Sequence, residues 1–177
     1  MRKFFSKNRR ALIRVYSRNK GFTLVEVLIA CFIISVTTLA LMSAASKGIE
    51  LSNRALRQAQ ASMITEEGVE AVKTIRDASW STISGLDSDV DYYLSFDTGS
   101  NTWTLSTTPS VNPMTPIDGK FTRTIVFSEV YRDSNDDIAS SGTLDAGTKR
   151  VTVATSWQSS GETVSKDIVF YISDIFN

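Results

Sequence analysis

The residue most able to do unusual chemistry is Glu26. It is the only ionisable carboxylate in residues 22–45, a 24-residue stretch reading FTLVEVLIACFIISVTTLALMSAA. A carboxylate in so apolar a run is costly in lipid and asks for a positive or hydrogen-bonding partner. Elsewhere the usual tools of catalysis are missing. The chain contains no histidine, the commonest general base and metal ligand, and only one cysteine, Cys31. One cysteine permits neither an intrachain disulfide nor a cysteine metal cluster. No G-x-S-x-G nucleophile turn, phosphate loop or dinucleotide fingerprint appears.

A second carboxylate group stands at Asp133-Ser134-Asn135-Asp136-Asp137, which begins like a calcium loop. Ile138 occupies the sixth position, where glycine is needed, and Leu144 the twelfth, where a glutamate should close the cage, so an EF-hand is excluded. The expectation is no cofactor. A calcium site of another design stays open on oxygen-ligand density alone, against a solvated acidic turn between strands.

The apolar run must be positioned by what precedes it. Residues 1–20 hold eight cations (Arg2, Lys3, Lys7, Arg9, Arg10, Arg14, Arg18 and Lys20) and no acid, leaving 11 cations against 19 acids in the rest. About 20 apolar residues cross a bilayer as a helix, and flanking cations hold their end in the cytoplasm. The cations therefore read as a topology signal with affinity for anionic lipid, and no direct nucleic-acid binding is expected. Three fates fit the segment. A secretory signal would be removed after Ser43-Ala44-Ala45, although the run is longer than the usual 7–15 residues. An uncut anchor fits the length but leaves Glu26 and the Lys20-Gly21-Phe22 junction unexplained. The third fate rests on a resemblance carried by that junction.

The stretch Gly21-Phe22-Thr23-Leu24-Val25-Glu26-Val27-Leu28-Ile29-Ala30 resembles the prepilin cleavage motif of the type IV pilin family. The resemblance implies cleavage between Gly21 and Phe22 by a membrane-embedded prepilin peptidase and N-methylation of Phe22. It further implies an assembly role for Glu26, whose carboxylate would meet the terminal amine of a neighbouring subunit. An interfacial acid with no assembly role is the plainer alternative. The implied partners are the peptidase, other pilin or pseudopilin subunits, the inner-membrane assembly platform and the lipid bilayer. The implied location is the cytoplasmic membrane, single-pass with the N-terminus cytoplasmic, and then an extracytoplasmic filament.

Helical signal continues past the span. In residues 51–78, Leu56, Ala59, Met63, Ile64, Gly68, Ala71, Val72 and Ile75 recur at three- and four-residue spacing, with Arg54, Arg57, Glu66, Glu67, Glu70, Lys73 and Arg76 on the polar side. No proline precedes Pro109, so one helix over 22–78 is allowed, about 85 Å long at 1.5 Å per residue. Gly48 and Gly68 each weaken it by about 1 kcal/mol relative to alanine, making either a place for a bend or local melting. Beyond Trp80 the alternation switches to period two. Strands are expected at 92–96, 103–106, 121–131, 149–157 and 164–172, with a proline-containing loop at 107–120. On the third strand Phe121, Arg123, Ile125 and Phe127 share one face. Trp80, Trp103 and Trp157 read as core or edge residues.

The resulting expectation is an α+β chain: a long N-terminal helix, transmembrane in its first half, packed on a small antiparallel sheet of four or five strands. Its parts are a basic leader (1–21), a membrane helix (22–45), an amphipathic helix (46–78) and a β-rich head (79–177). The lack of a second cysteine rules out a disulfide-looped head and, with the Glu66–Val72 stretch, gives a likeness to minor pilins and pseudopilins. The function expected is a non-enzymatic filament subunit. The alternative is an anchored or secreted β-rich binding domain with no filament role; an anchored hydrolase is more remote.

Overall fold

The computed structural model describes residues 21–109 and 115–175. The basic leader up to Lys20 and Pro113 lie outside the described residues. Helix α1 spans Leu24–Ala78 without interruption and is followed by a five-residue helix α2, Trp80–Ser84. Six strands follow: β1 (Asp91–Asp97), β2 (Thr102–Ser106), β3 (Phe121–Arg132), β4 (Ile138–Ala139), β5 (Thr143–Ser159) and β6 (Glu162–Ser173). The chain divides into two compact units, Met1–Lys47 and Gly48–Asn177.

In the first unit α1 is apolar on all sides. It is long and apolar enough to cross a membrane, and none of its apolar window is buried within the chain. Three of its hydroxyls are satisfied by the helix's own backbone. Ser35 donates to the Cys31 carbonyl at 2.8 Å, Thr37 to Ile33 at 2.9 Å and Thr38 to Ile34 at 2.8 Å. No polar group of those three side chains is left to face lipid unpaired, the condition a spanning helix must meet.

In the second unit α1 changes character. Ala61, Thr65, Gly68, Ala71, Val72 and Ile75 are buried, at the three- and four-residue spacing of a single helical face. The antiparallel sheet beneath runs in the order β2-β1-β3-β5-β6, with β4 added beside β3. Strand β3 buries every second residue from Phe121 to Phe127, so Arg123 is carried into the core between Phe121 and Ile125. The main core joins Val72 and Ile75 of α1, Ile83 of α2, Leu94 of β1, Ile125 and Phe127 of β3, Val151 and Val153 of β5, and Ile172 of β6. A smaller cluster joins Ala61, Phe121 and Trp157.

The sheet exceeds the expected four or five strands. Strand β4 is two residues long, too short to show alternation. Strand β5 begins at Thr143 rather than Lys149 because Leu144 and Thr143 pair with Tyr131 and Arg132 across a register shift. Gly142 makes that entry feasible: its φ is 147°, and a Cβ there would run into the Arg132 carbonyl. The β5–β6 connection is tighter than expected. Ser159 pairs with Glu162 across Ser160 (φ 54°) and Gly161 (φ 86°), the two left-handed residues of a type I′ turn.

Neither glycine of α1 breaks the helix. At Gly68 the reason is packing: an added Cβ would lie 2.7 Å from Val153 Cγ1 and 2.9 Å from Arg123 Cδ. The missing side chain lets helix and sheet close together, and the contact offsets the propensity cost. Of the tryptophans, Trp157 is buried, whereas Trp80 and Trp103 are half-buried against the main core.

Candidate assembly site

The N-terminus of α1 is built around Thr23 and Glu26. The Thr23 carbonyl accepts the Val27 amide at 3.2 Å, the first hydrogen bond of the helix. Helix starts leave amide groups without partners, and here the side chains supply them reciprocally. Thr23 Oγ1 accepts the Glu26 amide at 3.3 Å, while Glu26 Oε2 accepts the Thr23 amide at 2.8 Å and the Thr23 hydroxyl at 3.0 Å. This is a capping box, T-x-x-E. It was readable from the spacing of Thr23 and Glu26 before an apolar run, a signal the membrane-span reading passes over.

The geometry gives the two oxygens of the acid different fates. Oε2 takes both bonds from Thr23; Oε1 has no hydrogen-bond or ion-pair partner among the described residues. An ionised carboxylate accepts about four hydrogen bonds, so the group is anchored by one oxygen with the other free for an outside donor. The helix dipole favours a negative charge at the same place. Phe22 immediately precedes the cap and is 87% exposed; Gly21 has nothing within 4 Å of where a Cβ would be. Both residues precede the helix, which starts at Leu24.

Residues 16–42 match the family model of the prokaryotic N-terminal methylation motif. This segment is a type IV prepilin signal. The signal covers Gly21, Phe22, Thr23 and Glu26 together with most of the apolar run. With the apolar helix it supports a membrane-anchored, prepilin-like chain. No curated protein and no solved structure matches the chain. The prepilin signal and the arrangement of a long apolar helix on an antiparallel sheet together agree with the expected α+β fold of type IV pilins.

In the head two polar groups are organised by the fold. The Arg123 side chain is 3% exposed; it donates to the Ile64 carbonyl and to Glu67 Oε2, each at 3.0 Å, and lies 5.7 Å from the Trp103 ring centroid. Burial pushes the guanidinium below its usual range, opposed by the Glu67 charge. Beside it Thr65 donates to Thr155 Oγ1 at 2.8 Å inside the core. Both fasten α1 to the sheet. Sequence alternation placed Arg123 on the inward face but gave no indication of its partners on α1.

The acidic stretch at 133–137 is the turn between β3 and β4. Asp133 Oδ1 accepts the amides of Asn135 and Asp137 at 2.8 and 3.1 Å. Arg132 Nε binds Asp145 Oδ2 at 2.7 Å. The hydrogen bond from Arg132 holds Asp145 below the usual carboxylate range. Among the described residues no three His, Cys, Asp or Glu side chains converge as a metal cage would.

Proposed function

We propose that this chain is a precursor filament subunit, a minor pilin or a pseudopilin of a type IV pilus, a type II secretion pseudopilus or a related competence filament. In this reading it inserts in the cytoplasmic membrane with the leader inside. A prepilin peptidase cuts between Gly21 and Phe22 and the new Phe22 amine is methylated. The assembly platform then moves the subunit into a filament alongside other pilins. The observation that carries the reading is the half-engaged carboxylate of Glu26. One oxygen is held by Thr23 and the other has no partner among the described residues, four positions along the chain from where a positively charged terminus would arise.

The chemistry is economical. Trimming at Gly21 leaves the Thr23 amide untouched, so the cap survives it. Glu26 stays fixed at the helix start, where a neighbouring subunit's amine can reach Oε1. In an apolar surrounding such a pair is strong and a lone acid is costly, which drives pairing with a second subunit.

Two measurements test this. The mass of the mature N-terminus should correspond to methylated Phe22; a start at Ser46 would mean a secretory signal, and an intact Met1 an uncut anchor. Glu26→Gln keeps an oxygen for the cap while removing the charge. It should be inserted and trimmed normally, yet enter filaments about tenfold less, as losing a close charge pair implies. Incorporation at the level of the unsubstituted chain would refute the assembly role of the charge.

A further inference from the structure

Helix α1 carries an apolar face that the head does not use. Spacing alone groups Leu56, Ala59 and Met63 with the residues that pack on the sheet, but the structure separates them. Leu56 is 58% exposed, Met63 70% and Ile49 64%. The buried face belongs to Ala61, Thr65, Gly68 and Val72. At 3.6 residues per turn Leu56 stands about 140° around the helix from Ala61, so the two sets are different faces. Ile49, Leu56 and Met63 recur every seventh residue, and Ser52 and Ala59, also exposed, fall between them at three- and four-residue steps. An apolar patch for a flat protein surface needs no such period. A repeat of about 3.5 residues keeps one helix against another as both supercoil, so the stripe fits a helix as its partner.

The same register runs back through the apolar run, where its positions are Leu28, Cys31, Ser35, Thr38, Met42 and Ala45, all exposed. Ser35 and Thr38 donate to carbonyls of their own helix, so neither brings a donor that a neighbour would have to satisfy. In lipid, helices associate through close approach of small side chains; in water, through burial of large apolar ones. The stripe changes from small to large side chains as it leaves the apolar run. Its next two positions after Met63 are Glu66 and Glu70, both exposed, which end it. Its flanks at Gly48, Asn53, Ala55, Gln60 and Ser62 carry no charge. Paired helices of different sequence choose one another by charges at such flanks. With none there, nothing repels an identical helix.

We propose that this seam pairs with the same seam of a second copy, side by side in the membrane before assembly. Two copies held in one bilayer by the same apolar run have parallel helices that start at one depth. Ile49, Leu56 and Met63 then face their own counterparts. Such a contact is self-complementary and closes as a two-fold dimer. Beyond Met63 the paired Glu66 and Glu70 carboxylates would meet like charges, which stops the contact there. The pair rests on the membrane anchoring of the filament reading and goes beyond it, to a state that precedes the filament.

The test uses two differently tagged copies of the full chain, co-expressed in a membrane without the assembly platform and treated with a membrane-permeant oxidant. Cys31, the single cysteine, lies on the seam, so unsubstituted copies should link through it. Cys31→Ser with Ile33→Cys moves the thiol to the other side of the helix and should lower the linked yield severalfold. Outside the apolar run, Cys31→Ser with Leu56→Cys should link severalfold more than Cys31→Ser with Gln58→Cys. Leu56→Glu puts two like charges in one layer and should cut linkage through Cys31 about tenfold. Leu51→Glu, at an off-seam leucine 69% exposed, should leave it unchanged. Equal linkage from thiols on and off the seam, or indifference to Leu56→Glu, would overturn the pair. So would linkage of Leu56→Cys to a different protein in place of the second copy. With no platform present, these failures leave the filament reading standing; that reading falls instead to an uncut Met1 terminus or to normal filament entry of Glu26→Gln.

Discussion

The two stretches of α1 share a backbone and differ in what their side chains need. From Leu24 to Lys47 most side chains are apolar and all are exposed, with Phe32, Ile33 and Leu39 each more than half exposed. From Ala61 to Ile75 the buried face is made of alanine, threonine, glycine and valine, with only Ile75 large. The first stretch is apolar without being buried, and the second is buried without being strongly apolar. Hydrophobicity therefore sets the medium a helix segment requires, whereas side-chain size sets how closely a sheet can approach it. The first stretch is long and apolar enough to cross a membrane. The second takes one particular sheet.

The sharpest way to break this contrast is Gly68→Val. A valine gains helix propensity over glycine, worth a few tenths to about 1 kcal/mol. Its Cβ, however, would sit within 3 Å of Val153 and Arg123 atoms. Overpacking a closed core costs about 1–3 kcal/mol, so the clash wins and the head should unfold at lower denaturant in detergent-solubilised full chain. Unchanged stability would mean that helix and sheet do not pack as closely as Gly68 allows.

A smaller effect, visible only in acid, should come from Asp145. Its carboxyl is held below the usual aspartate range because Arg132, and secondarily Thr148, hydrogen-bond to the charged form. A depressed folded-state value stabilises above the unfolded pKa and is lost as pH falls through the folded one. Stability of the head should therefore decline below about pH 4, and Asp145→Asn should flatten that part of the profile while leaving the remaining carboxylates to titrate. A profile identical to that of the unsubstituted chain would remove Asp145 from the account. The smallest effect is expected from Ile33→Ala in the first stretch. It deletes as much apolar surface as many core substitutions, yet should shift the head's unfolding by less than about 0.5 kcal/mol, because Ile33 is 54% exposed among the described residues. A larger shift would show that the first stretch shares the head's cohesion.

Much of this organisation was legible in residue order. The span was readable from a largely apolar 24-residue stretch behind eight cations, and the long strands from period-two alternation such as Phe121, Arg123, Ile125 and Phe127. The hairpin joining β1 and β2 appears where Asp97 and Thr102 bracket its loop, with Asp97 accepting the Gly99 amide at 2.9 Å. Short elements were not legible. Helix α2 and strand β4 are too brief for a period to register, and the early start of β5 depends on a register shift opposite Val130. At the candidate site Glu26 stood out by charge, while its partner Thr23 did not, because hydroxyls are unremarkable in a membrane helix.

Sequence by itself determined which segments need lipid, which need a sheet, and that one acid would lie at the head of an apolar helix. Those are local properties, set by composition and by the period of the backbone. Tertiary structure decided that Gly68 is a contact point rather than a hinge and that Arg123 fastens Ile64 and Glu67 to the sheet. Each of these depends on distances between residues far apart in the chain, and only the folded packing of strand against helix sets such distances.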